Sequence, residues 1–135
     1  MSQFITDTHP LIWHLTKNPE LSLDAQTIFA NTDSGSSQIL LPGIVLVEIV
    51  YLAEKGVIPT LLVNQLLDFL EIPNGSYAIA PLDPSVIRIM AQQVPWSAIP
   101  EMADRIITAT ALALNLSLIT RDQRIQQSKL VSVLW

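Results

Sequence analysis

The sequence predicts a single α/β domain, residues 1–135, with a mainly parallel central sheet of about four to five short strands and helices on both faces. Three observations predict it. Short apolar segments alternate with longer segments that carry helix signals, the order that builds a parallel sheet. The short segments are apolar throughout instead of alternating, as expected where helices cover both faces. The chain has 135 residues, 50% of them hydrophobic and 14% charged, which suits one packed core and is too little for two ordinary domains.

Each element follows in order. Phe4-Ile5-Thr6 reads as a first strand that ends at Asp7, and Pro10 suits the first turn of the helix that follows. Leu21 to Ala30 reads as a second helix with Ser22 as its N-cap and Asp24 in its first turn. A polar stretch from Asn31 to Ser37 leads into a strand at Gln38 to Leu41, stopped by Pro42-Gly43. Residues 44–55 form a helix ended by Gly56, and Thr60 to Glu71 forms another before the turn at Pro73-Asn74-Gly75. Tyr77 to Leu82 is a third strand and Ser85 to Val94 a helix, followed by an irregular stretch from Pro95 to Pro100. Met102 to Leu114 is a strongly apolar helix ended by Asn115. A strand at Ser117 to Thr120, a short helix from Gln123 and a last strand at Val131 to Leu134 complete the chain.

Composition excludes several classes. A mean hydropathy of +0.42 is far from that of a disordered chain. The most apolar stretch, residues 44–63, is broken by Glu48, Glu54, Lys55, Gly56 and Pro59, so no run approaches the ~18 apolar residues of a membrane span. Residues 1–7 lack the basic start and long apolar run of a signal peptide. Without cysteine there is no disulfide, thiolate metal site or cysteine nucleophile, which fits a cytoplasmic protein. Seven Lys and Arg against twelve Asp and Glu give a net charge of −5, which argues against a simple non-specific nucleic-acid binder.

The carboxylates carry the chemistry. Ligands of open parallel sheets bind beyond the carboxyl ends of the strands. Asp7 follows the first strand, and Asp122 lies just past the fourth. Asp104 is in the first turn of the helix preceding that strand, and right-handed crossover packing brings this helix start to the same edge. Glu48 sits at helical spacing from Ile44, Val45, Tyr51 and Leu52, on an apolar face where a carboxylate needs compensation. Singly, each has an ordinary explanation: Asp7 and Asp122 as helix caps, Asp104 as a dipole partner, Glu48 paired with a buried arginine. Jointly, at least three share one edge, and an all-oxygen cluster suits Mg²⁺ or Mn²⁺. Such ions polarise a phosphodiester and acidify bound water for in-line attack.

Four segments carry a resemblance. Ile5 to Leu15 around Asp7, Val45 to Leu52 around Glu48, Met102 to Leu112 around Asp104, and Leu118 to Asp122 resemble the four acidic motifs of the PIN domain. The likeness is nearest to VapC-type toxins of bacterial toxin–antitoxin pairs, and it spans essentially the whole chain. It implies a Mg²⁺- or Mn²⁺-dependent endoribonuclease, with Asp7, Glu48, Asp104 and Asp122 holding metal and orienting the attacking water. It implies a supporting hydrogen bond from Thr120, an RNA substrate, and a cognate antitoxin protein. A catalytically silent PIN-fold module for RNA or protein, with a structural metal site, is the alternative.

His9, Arg105 and Arg121 lie close to these acids in sequence and are candidate substrate contacts; local hydrogen bonding or ordinary surface charge is the competing explanation for each. Arg124 reads as surface charge, His14 and Trp13 as packing or surface, and Trp96 as core. Two rival α/β classes fall behind. A dehalogenase-like phosphatase needs an acid where His9 stands, and a receiver domain needs a lysine after a late strand, which Lys17, Lys55 and Lys129 do not supply. Finally, the helix at 44–55 is apolar around nearly its whole circumference, and the next adds Leu61, Leu62, Leu66 and Leu67. Such an excess predicts a homodimer surface, an antitoxin groove, or both, unless the chain itself encloses the first helix.

Overall fold

The strands are short, and those at the centre of the sheet are buried on adjacent residues, as two covered faces require. A computed structural model describes residues 1–135. Its elements are β1 (Ser2–Thr6), α1 (Thr8–Leu15), α2 (Leu23–Asp33), β2 (Ser37–Pro42), α3 (Gly43–Glu54) and α4 (Leu61–Glu71). They continue as β3 (Tyr77–Ala80), α5 (Pro84–Gln93), α6 (Met102–Leu114), β4 (Ser117–Ile119), α7 (Gln123–Ser128) and β5 (Val133–Leu134). The five strands form one sheet in the order β3-β2-β1-β4-β5, and every pairing is parallel. Ile5 and Thr6 are both buried, as are Leu118, Ile119 and Thr120. Neighbouring strand residues point to opposite faces, so both faces are covered by helices. One apolar cluster of 25 buried residues, including Ile5, Phe29, Leu41, Ile49 and Ile107, fills the interior.

Helix ends follow local chemistry. The Ser22 hydroxyl accepts from the Ala25 N–H at 3.2 Å and starts α2. Asn115, with φ of 53°, closes α6 in the left-handed conformation that asparagine tolerates. Gly56 follows α3 with φ of 75°, where a side chain would be strained. Helix α5 begins at Pro84 because Asp83 is its cap, accepting from the Val86 N–H at 3.1 Å. Strand β2 runs through Pro42, whose extended backbone pairs opposite Ala80 just before α3 starts.

Two expectations change. Strand β3 stops at Ala80, since Leu82 has left the sheet and is exposed. Trp96 is not core: it stands 68% exposed in the turn after α5, while Val94 and Ile99 anchor that segment inside. The apolar excess on α3, in contrast, is left open as expected. Val45, Ile49 and Ala53 are buried, but Val47, Val50 and Tyr51 are exposed. On α4 the inward residues are Leu62 and Leu66, and the outward ones are Leu61 and Leu67.

Connectivity positions the site. The chain steps outward from β1 to β2 to β3, then returns to the other side of β1 for β4 and β5. The order therefore reverses between β1 and β4, and the crevice at such a reversal is where parallel sheets bind ligands.

Candidate active site

Asp7 stands at that reversal. Its N–H donates to the Ile119 carbonyl at 3.0 Å, one bond beyond the β1–β4 ladder, which fixes it at the sheet edge. Its Oδ1 accepts from the Thr8 N–H at 2.7 Å and caps α1. Its Oδ2 accepts from the Thr120 hydroxyl at 2.7 Å. The Thr120 oxygen in turn accepts from the Asp122 N–H at 3.1 Å, so one buried hydroxyl links the acids that follow two neighbouring strands. Asp122 Oδ1 accepts from the Ile125 N–H at 2.8 Å and caps α7. The capping explanation holds for both aspartates, yet it does not exhaust them. An ionised carboxylate offers about four lone-pair sites, and these caps use few of them.

Glu48 is compensated by a hydroxyl, not by a buried arginine. Helix α1 packs on α3, and the buried Thr8 donates its Oγ1 hydrogen to Glu48 Oε1 at 2.5 Å. Asp104 occupies the first turn of α6. Its carboxyl is pushed up to about 7, first by burial and then by the charges of Asp7, Asp122, Glu101 and Glu48. Burial also raises Asp7, outweighing the Thr120 and Thr8 hydrogen bonds and the nearby His9 that lower it, while Asp122 adds to the rise. Segments far apart in the chain thus press their carboxylates on one point.

Together with Thr8, Pro10, Trp13 and Glu101, the four acids Asp7, Glu48, Asp104 and Asp122 line a cleft of about 280 Å³. His9 and Arg121 line it too. Arg105 does not: its Nε and Nη2 donate to the Val94 carbonyl at 3.1 and 2.9 Å, tying α6 to the end of α5. His14 is a packing residue, stacked on Phe29 and bonded to Asp33 at 2.9 Å. Sequence reasoning missed Thr8, Trp13 and Glu101. A hydroxyl directly after Asp7 and an acid one helical turn before Asp104 were the available signals for two of them.

The donor chemistry fits a hard divalent cation. Every anionic group in the cleft is a carboxylate, and Asp104 shows the repulsion that a cation would relieve. No three acids converge into a closed cage. Magnesium does not need one, since it keeps several waters and is held by one or two carboxylates plus substrate phosphates.

Comparison with known proteins identifies the family and the fold. The PIN domain family model matches residues 4–129, and the chain belongs to that family. Among curated proteins, none matches significantly. Solved structures share the fold. The DNA-bound VapBC complex from Salmonella typhimurium contains a chain that aligns with a TM-score of 0.71 at 16% identity, over 99% of this chain and 98% of that one. FitAcB from Neisseria gonorrhoeae gives 0.65 at 23% identity, over 98% and 96%. A toxin–antitoxin complex from Klebsiella pneumoniae gives 0.65 at 19% identity, again over 98% and 96%.

Proposed function

We propose that this PIN domain is a Mg²⁺- or Mn²⁺-dependent endoribonuclease and the toxin of a toxin–antitoxin pair. The observation that carries the proposal is the meeting of Asp7, Glu48, Asp104 and Asp122 in one open cleft at the strand-order reversal. Asp7, Glu48, Asp104 and Asp122 would hold the ion or ions, which supply Lewis acidity toward the phosphodiester and toward water. The chain's own groups set the geometry. Thr120 orients the Asp7 carboxylate and fixes the Asp122 backbone. Thr8 fixes the Glu48 carboxylate. Arg121 and His9 offer the cleft its cationic or neutral donors, suited to RNA phosphates on either side of the scissile bond. The high proton affinity of Asp104 means that cation binding and deprotonation of this carboxyl are coupled.

Partners belong to the same proposal. One neighbour of the fold is a toxin–antitoxin complex, and a cognate antitoxin suits the apolar stripe of Val47, Val50 and Tyr51 on α3. A homodimer would use the same excess of exposed apolar surface. No helix is long and apolar enough to cross a membrane, and a cytoplasmic location is part of the reading.

The test is cleavage of total RNA by purified protein, with Mg²⁺, with Mn²⁺ and with chelator. Wild-type protein cuts only with metal, and Asp7→Asn and Asp104→Asn abolish cutting while circular dichroism stays native. The substitution keeps size and removes the charge that a hard cation requires. Wild-type rates in either variant would show the site assignment to be wrong, and a chain that never cuts RNA would leave the silent binding module.

A further inference from the structure

Arg121 is the only lysine or arginine lining a cleft that five carboxylates surround: Asp7, Glu48, Glu101, Asp104 and Asp122. Two contacts fix its guanidinium. The group lies 4.4 Å from the centroid of the Trp13 ring. Its Nη1 donates to Glu20 Oε2 at 2.6 Å. Trp13 is itself held between His9 and Trp135, with ring centroids 5.7 and 5.9 Å away, so the platform is fixed. Glu20 comes from the turn between α1 and α2, where its N–H donates to the Asn18 side chain at 2.9 Å.

The pairing is peculiar on electrostatic grounds. The cleft is already strongly acidic, and Glu20 spends its charge on the one permanent cation there. Both side chains are about half exposed, at 52% and 57%, where an ion pair adds little to stability. A weak pair is easily exchanged. Carboxylate and phosphate present similar oxygens to a guanidinium. Glu20 takes one of the five N–H donors of Arg121, and no other hydrogen bond engages the rest of the fork.

We propose that Glu20 is a built-in stand-in for a substrate phosphate: it parks Arg121 on Trp13 in the free protein and surrenders it to an RNA phosphodiester flanking the scissile one. Trp13 and Glu20 are then positioning residues that act through Arg121. The idea rests on the nuclease reading for its ligand, and binding and cleavage are therefore measured separately.

Binding is read by anisotropy of a fluorescent single-stranded RNA on an Asp104→Asn background with Mg²⁺. Cleavage is read as KM and kcat in otherwise wild-type protein. Glu20→Gln should lower both Kd and KM by about two- to fivefold at low salt, the range expected from freeing an exposed ion pair. The kcat should not change, and the gain should vanish at high salt, where exposed charges are screened. Glu20→Gln with Arg121→Ala should bind no more tightly than Arg121→Ala alone. An unchanged Kd in Glu20→Gln would overturn the proposal, and so would a raised one, which would make Glu20 an aid to binding and not a competitor. If Glu20→Gln tightens RNA binding but no variant cuts RNA, the exchange stands and the nuclease reading fails. If RNA is cut normally and Glu20 has no effect, the reverse holds.

Discussion

Thr120 is the side chain whose removal separates support from catalysis. Its hydroxyl donates to Asp7 Oδ2 and accepts from the Asp122 N–H, with no exposure to solvent. Thr120→Val keeps the shape and leaves the part-buried Asp122 N–H and an Asp7 carboxylate oxygen short of partners. Each such loss costs about 1–3 kcal/mol. The expected outcome is a destabilised protein with reduced but measurable RNA cleavage, read by urea unfolding and by initial rates, while Thr120→Ser retains both. Asp104 makes the opposite kind of contribution. Its proton affinity is raised from 3.8 in the unfolded chain to about 7 in the fold, so the folded state keeps a proton that the unfolded state loses. Stability then falls as pH rises from about 4 to 7 and levels off above that. Asp7 shifts in the same direction. Metal-free protein should therefore melt at a higher temperature at pH 5 than at pH 8. Asp104→Asn should flatten that slope, and saturating Mg²⁺ should restore stability at pH 8. At 100 times its dissociation constant the ion contributes about 2.7 kcal/mol.

At the scale of elements, most of the fold was legible because its signals are local. Ser22, Asn115 and Gly56 mark helix ends by chemistry that needs no tertiary context. Runs such as Phe4-Ile5-Thr6 and Ser117 to Thr120 announce buried parallel strands by being apolar on consecutive positions. Asp7, Asp104 and Asp122 were legible because strand ends and helix starts in an α/β fold fall on a known edge, whereas Glu48, in the middle of α3, stood out only as a carboxylate among apolar neighbours. What was not legible depends on contacts across the chain. Thr8 meets Glu48 only because α1 packs on α3, and Glu20 meets Arg121 from a turn far away in sequence. The orientation of α4 was equally hidden, because its leucines at 61, 62, 66, 67 and 70 are not confined to one face. With the structure the faces separate: Leu66 is fully buried, whereas Leu67 is 45% exposed. Leu66→Asp places a charge in the core, and truncating such a leucine alone costs about 2–5 kcal/mol. It should leave little folded protein, given total stabilities of about 5–15 kcal/mol. Leu67→Asp should fold, with a native circular dichroism spectrum. Denaturant titration of the two variants distinguishes this assignment of faces from the reverse.

At the scale of the whole molecule, the exposed apolar surface is larger than the fold needs. Val47, Val50 and Tyr51 recur at positions i, i+3 and i+4 on the outer side of α3, and α4, which packs beside it, adds Leu61 and Leu67. A stable interface takes about 800 Å² from each partner, roughly a tenth of the 7480 Å² that this chain exposes. Three side chains on one helix do not supply that area, so a stable interface on this face would have to cover α3 and α4 together. Two helices presented side by side form a surface that a second copy, related by a two-fold axis, can match with its own. Purified alone, the chain should therefore run as a dimer in light scattering behind a sizing column at tens of micromolar. Tyr51→Asp and Leu67→Asp should each shift it toward monomer while leaving the melting profile cooperative, because both side chains face outward. Leu62 and Leu66 are unsuitable for this test, since charge there attacks the core and not the interface. A monodisperse wild-type monomer under these conditions would assign the patch to a different protein. The antitoxin then becomes the occupant to test, by the same two outward substitutions in a co-purification with it. If dimer formation and antitoxin capture both survive Tyr51→Asp and Leu67→Asp, the face formed by α3 and α4 is not the interface.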